Sequence, residues 1–163
     1  MVKWFQAHTA EMVAELRELV QIESPTRDKA AVDKLGAVIV ERARALGATV
    51  TVERRSARGD HLVAHWNGSA TQRQILLLCH MDTVWPLGTL AGQPIRIVDG
   101  QFYGPGSYDM KAGIVIALTA VRGLRALGAR SERPITILFT SDEELGSRTS
   151  RALIEKQTRR SAL

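Results

Sequence analysis

The spacing of apolar residues predicts two helices in the first third of the chain. Apolar positions recur every three to four residues from about Ala10 to Gln21 and from about Lys29 to Leu46, which is the period of an amphipathic helix. Thr9 is a residue type that caps helix starts, and Gly47 follows the second run where a helix end favours glycine. The sequence Ser-Pro-Thr at 24–26 breaks the chain between the two helices.

Three strand patterns follow the second helix. Residues 48–53 and 61–67 alternate apolar and polar side chains, which is typical of strands with one exposed face. Residues 74–79 are almost continuously apolar, which indicates a strand buried on both faces. We therefore expect the third strand to be central in the sheet.

The second half of the chain continues the alternation. Asp99 and Gly100 form a turn signal between IRIV and QFYG, which predicts a small hairpin. A long helix is predicted from about Met110 to Leu127, then a buried strand, ITILFT, after Pro134, and a last helix over Ser150–Thr158. The order predicts an α/β fold, a three-layer sandwich with a mostly parallel central sheet, helices on both faces and room for an antiparallel edge strand.

Composition narrows the class of protein. With 163 residues, 45% of them hydrophobic and 24% charged, the chain has the size and make-up of one soluble globular domain. It contains no apolar run long enough to span a membrane, and the polar N-terminus is unlike a signal sequence, so we expect a cytoplasmic protein without a membrane partner. Its single cysteine, Cys79, excludes an intrachain disulfide and a multi-cysteine zinc site.

The net charge of +5 raises nucleic-acid binding as an alternative. The excess of basic residues lies between Arg122 and Arg160, spread over helical faces, and the whole chain has only eight Phe, Trp and Tyr residues to stack on bases. We therefore favour a solvated basic face and expect no nucleic-acid partner. Attraction of acidic small substrates is a weaker interpretation of the same charge.

Histidine and acidic residues, which can bind a metal or transfer a proton, follow the two most apolar strands. His80 and Asp82 come at the end of ILLLC, and Glu143 and Glu144 come shortly after ITILFT. Asp109 stands at the start of the long helix between those strands. Because the carboxyl ends of parallel strands joined by a right-handed crossover lie at one edge of a sheet, we expect these groups to converge there.

Each of these residues also has an ordinary structural interpretation. His80 alone fits a satisfied histidine at a strand end, Asp109 fits a helix cap, and Glu143 with Glu144 fits a solvated pair. Together they are harder to explain, because clustered carboxylates repel one another unless a cation neutralises them. Imidazole and carboxylate ligands suit zinc, and also manganese or cobalt, with one glutamate free to act as a base.

The glycine motif GPG at 104–106 invites comparison with a dinucleotide-binding loop. The motif lacks the third glycine, because Asp109 stands in that place, and a carboxylate there would repel a pyrophosphate. The segment GSYDMK does not fit a Walker-type phosphate loop either. We therefore set nucleotide binding aside.

Three motifs, CHMDTV, YGPGSYDMKAG and FTSDEELGS, resemble signatures of the co-catalytic dinuclear zinc exopeptidases and deacylases. That family includes glutamate carboxypeptidases, aminoacylases, acetylornithine deacetylases and succinyl-diaminopimelate desuccinylases. The segments VQIESPT and WPLGTL are most similar to the glutamate carboxypeptidase branch. The resemblance implies a zinc exopeptidase-like fold that hydrolyses an amide bond in a small peptide or an N-acyl amino acid.

The resemblance also implies roles for individual residues. Two Zn²⁺ ions are the implied cofactors, with Co²⁺ or Mn²⁺ as alternatives, and the peptide between Asp109 and Met110 is implied to be cis. Cys79 is interpreted as a buried strand thiol. The implied metal ligands are His80, a bridging Asp109 and Glu144, and the implied catalytic residues are Glu143 as general base and Asp82 behind the histidine.

Part of the family pattern is not found between residues 1 and 163. Family members have a further carboxylate ligand on the next strand, a final histidine much later, and an inserted lid or dimerisation domain. We therefore expect residues 1–163 to form an N-terminal part of the catalytic domain, with little hydrolysis alone and a full-length form that dimerises through the lid. The alternatives are a non-catalytic remnant or interaction domain that retains the fold and, less favoured, a basic nucleic-acid binder.

Overall fold

The computed structural model describes residues 1–68 and 71–162. The described residues form helices and strands in the alternation that the apolar pattern predicts. The helices are α1 (Val2–Ala7), α2 (Thr9–Gln21), α3 (Lys29–Ala45), α4 (Thr89–Gly92), α5 (Ala112–Ala126) and α6 (Arg151–Arg159). The strands are β1 (Thr49–Glu53), β2 (His61–Trp66), β3 (Ile75–His80), β4 (Arg96–Val98), β5 (Gln101–Tyr103) and β6 (Ile135–Thr140).

Four of the strands form one mixed sheet in the order β1-β2-β6-β3. The pairs β1–β2 and β2–β6 are antiparallel, and β3–β6 is parallel. The α/β fold class is therefore confirmed, whereas parallel pairing is confirmed only for β3 with β6. Among the described residues β3 pairs with β6 alone and Leu78 is 49% exposed, so here β3 lies at an edge and not at the predicted central position.

Helices cover both faces of the sheet, as predicted. On one face, buried side chains of α3 and α5, such as Ile39 and Leu118, share a single apolar cluster with Phe139 of β6. On the other face the side-chain amide of Gln74 donates to the Gln157 carbonyl of α6, while its oxygen accepts from the hydroxyl of Thr136 in β6. The core therefore lies mainly between the sheet and the layer that contains α2, α3 and α5.

Several local predictions agree with the structure. Gly47 follows α3 with a φ of +83°, as its place after the predicted helix indicates. The cap of α3 is a finding of the structure alone: the Asp28 carboxylate accepts the backbone N–H of Ala31. Asp99 and Gly100 have positive φ values of 51° and 75° in the tight turn of the β4–β5 hairpin.

In the described part of the chain, no helix combines the length and the apolar character needed to cross a membrane.

Two helix starts differ from the prediction. Thr9 does not cap α2, because α1 precedes it and the Thr9 hydroxyl donates to the carbonyls of Phe5 and Gln6. The long helix begins at Ala112 and not at Met110. The preceding residues, Ser107–Lys111, form a separate wide turn in which Lys111 N–H donates to the Gly106 carbonyl.

Candidate metal centre

The expected convergence occurs at the carboxyl edge of the parallel strand pair. His80 at the end of β3 lies opposite Thr140 at the end of β6, so the segments that follow both strands leave the sheet side by side. His80, Asp109 and Glu144 each offer one potential ligand atom, and these three atoms all lie within 4.8 Å of one another. Sequence-distant residues thus meet as the topology argument predicts.

The ring of His80 is held in one orientation. Its Nδ1 lies 3.0 Å from the backbone carbonyl of Asp82 and 3.5 Å from the Asp82 Oδ1 atom. Because a carbonyl oxygen only accepts hydrogen bonds, Nδ1 carries the hydrogen. Nε2 therefore faces the opening, 2.9 Å from Asp109 Oδ1 and 3.9 Å from Glu143 Oε2, which is the arrangement of a metal-ligating imidazole.

Charge around His80 is strongly negative. Burial disfavours the protonated ring, but hydrogen bonds to Asp82 and Asp109 and the charge of Asp82 outweigh it and raise the pKa of His80 to about 9. A protonated imidazole therefore supplies positive charge that offsets the surrounding carboxylates, as a metal cation would. The pKa of His80 and the carboxylates around it both indicate a pocket built for positive charge.

Asp82 lies behind His80 and connects three segments. The carboxylate is fully buried and accepts the Thr26 hydroxyl at 2.8 Å and the backbone N–H groups of Glu143 and Glu144 at 3.3 and 3.2 Å. Because Asp82 is inaccessible, it can position the ligand histidine and the glutamate turn but cannot itself meet a substrate. The break at Ser24-Pro25-Thr26 does not predict this contact of Thr26, although Ser-Pro-Thr before a helix is a signal of a fixed turn.

The segment that presents Asp109 is fixed at both ends. Gly106 has a φ of +68°, and a Cβ atom there would lie 2.5 Å from Thr83, so no larger residue fits. Lys111 is buried and its ammonium donates to the Ile22 carbonyl at 2.6 Å, while burial lowers the pKa of Lys111 to about 8. The Asp109–Met110 peptide is cis, as expected.

Asp109 itself does not cap a helix. Its backbone is non-helical, α5 begins three residues later without a side-chain cap, and the Asp109 side chain is 69% exposed. The interpretation of Asp109 as an N-cap is therefore wrong. Its carboxylate points instead at Nε2 of His80.

Glu143 and Glu144 lie in a short 3₁₀ turn, Glu143–Leu145, that follows β6. Glu144 belongs to the ligand cluster, whereas the side chain of Glu143 is 52% exposed. Burial raises the pKa of Glu144, and the Asp109, Asp82 and Glu143 carboxylates raise it further against the opposing effect of His80. The two adjacent glutamates therefore occupy different environments, as separate ligand and base roles require.

A hydrogen-bond network that sequence reasoning missed supports the 3₁₀ turn at Glu143–Leu145. The Asp142 carboxylate accepts from the Thr149 hydroxyl and from the backbone N–H groups of Thr149 and Ser150. His61 of β2 is fully buried and contacts the Ser141 hydroxyl with Nδ1 and the Thr149 hydroxyl with Nε2, both at 3.0 Å. His61 thus joins both ends of the loop that carries the two glutamates. In the sequence, the one signal of this network is Asp142, the first of the three adjacent acidic residues in SDEE.

The side chains at this edge fit a divalent cation. One imidazole nitrogen and two carboxylates converge, and two more carboxylates, Asp82 and Glu143, lie within 4 Å of His80. In the absence of other cations such a concentration of negative charge is unfavourable, and zinc accepts this combination of nitrogen and oxygen ligands. His80, Asp109 and Glu144 are therefore a candidate metal site.

Comparisons with known proteins agree with the geometry. Residues 76–162, which include His80, Asp109 and Glu144, match the family model described as Peptidase family M20/M25/M40. Carboxypeptidase G2 of Pseudomonas sp. (strain RS-16) is 36% identical over 160 residues, a match that covers 95% of this chain and 38% of the relative. Aminoacylase-1 of Sus scrofa is 33% identical over 136 residues, covering 78% of this chain and 32% of the relative.

Solved structures share the fold. The crystal structure of human carnosine dipeptidase 1 superposes with a TM-score of 0.81 at 24% sequence identity, covering 97% of this chain and 37% of that one. The chain therefore spans between 32% and 38% of the length of these three proteins. The shared portion contains the sheet edge where the candidate ligands converge.

Proposed function

The chain belongs to Peptidase family M20/M25/M40, and on this basis we propose that it contributes the metal centre of a hydrolase that cleaves an amide bond in a peptide or an N-acyl amino acid. The observation that carries the proposal is the cluster of His80, Asp109 and Glu144 with Glu143 beside it. Relatives named as a carboxypeptidase and an aminoacylase support amide hydrolysis as the reaction.

The proposed cofactor is a pair of zinc ions. His80 and Asp109 would hold one ion and Asp109 and Glu144 the other, so that Asp109 bridges them. Bound zinc supplies Lewis acidity, which acidifies water and polarises a carbonyl group. Asp82 keeps the His80 ring oriented through the Nδ1 contact and ties the glutamate turn to it.

Glu143 is the proposed general base. Its carboxylate is half exposed at the open side of the cluster, with Oε2 3.9 Å from His80 Nε2. From there Glu143 can accept a proton from the attacking water and return it to the departing nitrogen. Its more buried neighbour, Glu144, is proposed to be the metal ligand.

We further propose that residues outside this chain complete the metal shells. Two protein ligands per ion fall short of the three that a catalytic zinc usually has. The outer edge of β3 carries a single parallel bridge, between Gln74 and Ser161, and no strand of the described residues pairs along the rest of it. Chain continuing from Ser161 along that edge would reach His80, and the relatives have the additional length.

The test is a hydrolysis assay with dipeptides and N-acyl amino acids, using this chain and any longer reading frame that contains it. We expect zinc-dependent release of amino groups from the form with complete metal shells. Glu143→Gln should lower the rate by about 10²–10⁴-fold while its zinc content stays unchanged. A Glu143→Gln variant with full activity, or hydrolysis that a chelator leaves unchanged, would contradict the proposal.

A further inference from the structure

A cavity of about 680 Å³ lies at the edge of the sheet opposite to the candidate metal centre. Its lining includes Trp66 at the end of β2, Ile135 at the start of β6, and Leu124 and Arg125 near the end of α5. Because α5 has 15 residues, its last turn lies roughly 20 Å from the segment that presents Asp109. The cavity is therefore separate from the metal centre, and its volume is within the range of roughly 300–1,000 Å³ typical of small-molecule sites.

The floor of this cavity is apolar and fixed. Trp66 and Leu124 are partly buried and pack against the apolar core, and the lining also includes Val121 and Ile135, which are 4% and 9% exposed. The indole Nε1 of Trp66 donates to the Leu46 carbonyl at 2.8 Å, which holds the ring in one orientation. A ligand with an apolar group therefore finds an ordered apolar surface here.

The rim of the cavity is positively charged. Three arginines, Arg125, Arg130 and Arg133, and one acidic residue, Glu132, line it. Arg125 and Arg133 donate to backbone carbonyls at 3.4 and 3.3 Å, Arg130 is exposed, and none of the three forms an ion pair among the described residues. Guanidinium groups without a carboxylate partner attract anions and match the planar geometry of a carboxylate.

The walls of the cavity are formed before any ligand arrives. Gly128 has a φ of +63°, its N–H donates to the Arg125 carbonyl, and Ala129 N–H donates to the Leu124 carbonyl, so a closed helix cap fixes the turn after α5. In the facing wall, a Cβ atom on Gly68 would lie 2.4 Å from the backbone of the loop before β6. Two segments in such close contact hold the opening without the entropic cost of ordering a loop.

We infer that this cavity is a second ligand site, which takes a small amphipathic organic acid with its apolar group on Trp66 and Leu124 and its carboxylate among Arg125, Arg130 and Arg133. Charge complementarity selects the anion, and the apolar floor selects an acid with an aromatic or branched aliphatic group. The inference does not depend on the proposed function, because no residue of the cavity belongs to the candidate metal centre.

The test locates two matched probes, phenylpropionate and its neutral amide, by NMR chemical-shift changes in the isotope-labelled protein. We expect the acid to shift the indole N–H of Trp66 and the backbone N–H groups of Leu124 and Arg130. The amide should shift the same signals with a weaker affinity, because it lacks the charge that the guanidinium groups attract.

Three variants separate charge from shape. Arg130→Gln should weaken binding of the acid by about two- to fivefold and leave the amide unchanged. Glu132→Gln removes the acidic residue of the rim and should strengthen binding of the acid by about twofold. Ala129→Phe places a large side chain in the cavity and should weaken both probes. Arg130 and Glu132 are exposed, so their variants are expected to fold.

A matched control removes the same charge at the other edge of the sheet. Arg148 is exposed and lies in the loop that follows the Glu143–Leu145 turn, and Arg148→Gln should bind both probes as the unchanged protein does.

Three results would overturn the inference. The first is the absence of shifts with either probe at millimolar concentration. The second is a set of shifts confined to the segments around His80 and Glu144, which would assign the carboxylate to the metal centre. The third is acid binding that responds equally to Arg130→Gln and Arg148→Gln, which would show attraction by net charge alone.

Discussion

At the scale of single residues, Asp82 shows how one buried carboxylate organises the site. The carboxylate accepts hydrogen bonds from the Thr26 hydroxyl and from the backbone N–H groups of Glu143 and Glu144. The backbone carbonyl of Asp82 lies 3.0 Å from Nδ1 of His80 and fixes that ring. Two segments that are distant in sequence, at Thr26 and at Glu143–Glu144, therefore depend on one carboxylate. Removal of that acceptor leaves buried donors unpaired.

We predict that Asp82→Ala lowers the free energy of unfolding by about 2–4 kcal/mol, because the buried hydroxyl and amides lose their acceptor. The same variant should bind zinc about 10–100-fold more weakly, because the carboxylate 3.5 Å from His80 Nδ1 is lost, although the backbone carbonyl that accepts from Nδ1 remains. Urea denaturation and a zinc titration measure the two effects. Glu132→Ala, at an exposed position, is the control and should change neither quantity. A stable Asp82→Ala protein with unchanged zinc affinity would refute this role.

The buried His61 makes the stability of the folded chain depend on pH. Burial lowers the pKa of His61 despite the nearby Asp142 carboxylate. Below the ordinary histidine pKa of about 6.5, the unfolded chain therefore binds a proton that the folded chain does not. Stability must rise with pH between the lowered pKa and about 6.5, and fall as the pH is lowered through that range.

We predict that this dependence is specific to His61. Compared with His61→Asn, the unchanged protein should lose stability more steeply on acidification below about pH 6.5. Urea denaturation at a series of pH values provides the measurement. His65→Asn, on the same strand but only half-buried, is the control. Parallel stability curves for the unchanged protein and His61→Asn would exclude the mechanism.

Which residues carry chemistry could be predicted from sequence, but which residues support them could not. His80, Asp109 and the Glu143–Glu144 pair follow apolar strands or glycine-rich turns, and that pattern is visible in one dimension. The contacts of Thr26 and His61 cross 56 and 88 residues of chain to Asp82 and Thr149. No local pattern records such contacts, because they depend on how the elements pack.

At the scale of elements, strand β3 has one paired and one open edge. The amide of Ile75 donates to the carbonyl of Pro134 just before β6, and the amide of Met81 donates to the carbonyl of Thr140 at the end of β6. Because successive N–H groups of a strand alternate in direction, the amides of Leu76 and Leu78 point away from β6. Leu78 is also 49% exposed.

We predict that the open edge is visible in hydrogen exchange. In this chain the amides of Leu76 and Leu78 should exchange much faster than those of Leu77 and Cys79, which point towards β6. In a longer form that continues past Ser161, pairing along the open edge should slow the exchange of Leu76 and Leu78. NMR or mass-spectrometric exchange measures both states. Equal protection of all four amides in this chain would contradict the topology.

The apolar pattern predicted most elements but not the place of β3 in the sheet. Continuous apolar character indicates burial on both faces, yet it cannot identify which chain segments provide that burial. The apolar pattern likewise does not predict the antiparallel pairing of β2 with β6, since pairing direction depends on connections and not on side-chain type. The wide turn at Ser107–Lys111 escaped prediction because Met110 and Lys111 also suit a helix.

At the scale of the whole molecule, the positive charge is dispersed and partly neutralised. Arg122 pairs with Glu15, and Arg42 pairs with Glu18. Lys29 pairs with both Asp33 and Asp60. Such pairing lowers the field that a polyanion would meet.

We predict no salt-dependent gel shift with double- or single-stranded DNA, because a nucleic-acid surface needs unpaired basic groups along one face. The measurement is an electrophoretic assay at low ionic strength with a known basic DNA-binding domain as positive control. A shift that weakens steeply with added salt would restore the nucleic-acid interpretation.

The metal centre is the central claim, and thermal unfolding with zinc tests it most directly. At a zinc concentration of 100 times Kd, binding stabilises the folded chain by about 2.7 kcal/mol, which corresponds to a rise in Tm of roughly 5–10 °C for a chain of this size. Glu143→Gln should retain this rise, whereas Asp109→Asn and Glu144→Gln should lose most of it. A Tm that zinc leaves unchanged both in this chain and in a longer form with complete metal shells, or a rise of equal size in Asp109→Asn, would contradict the account.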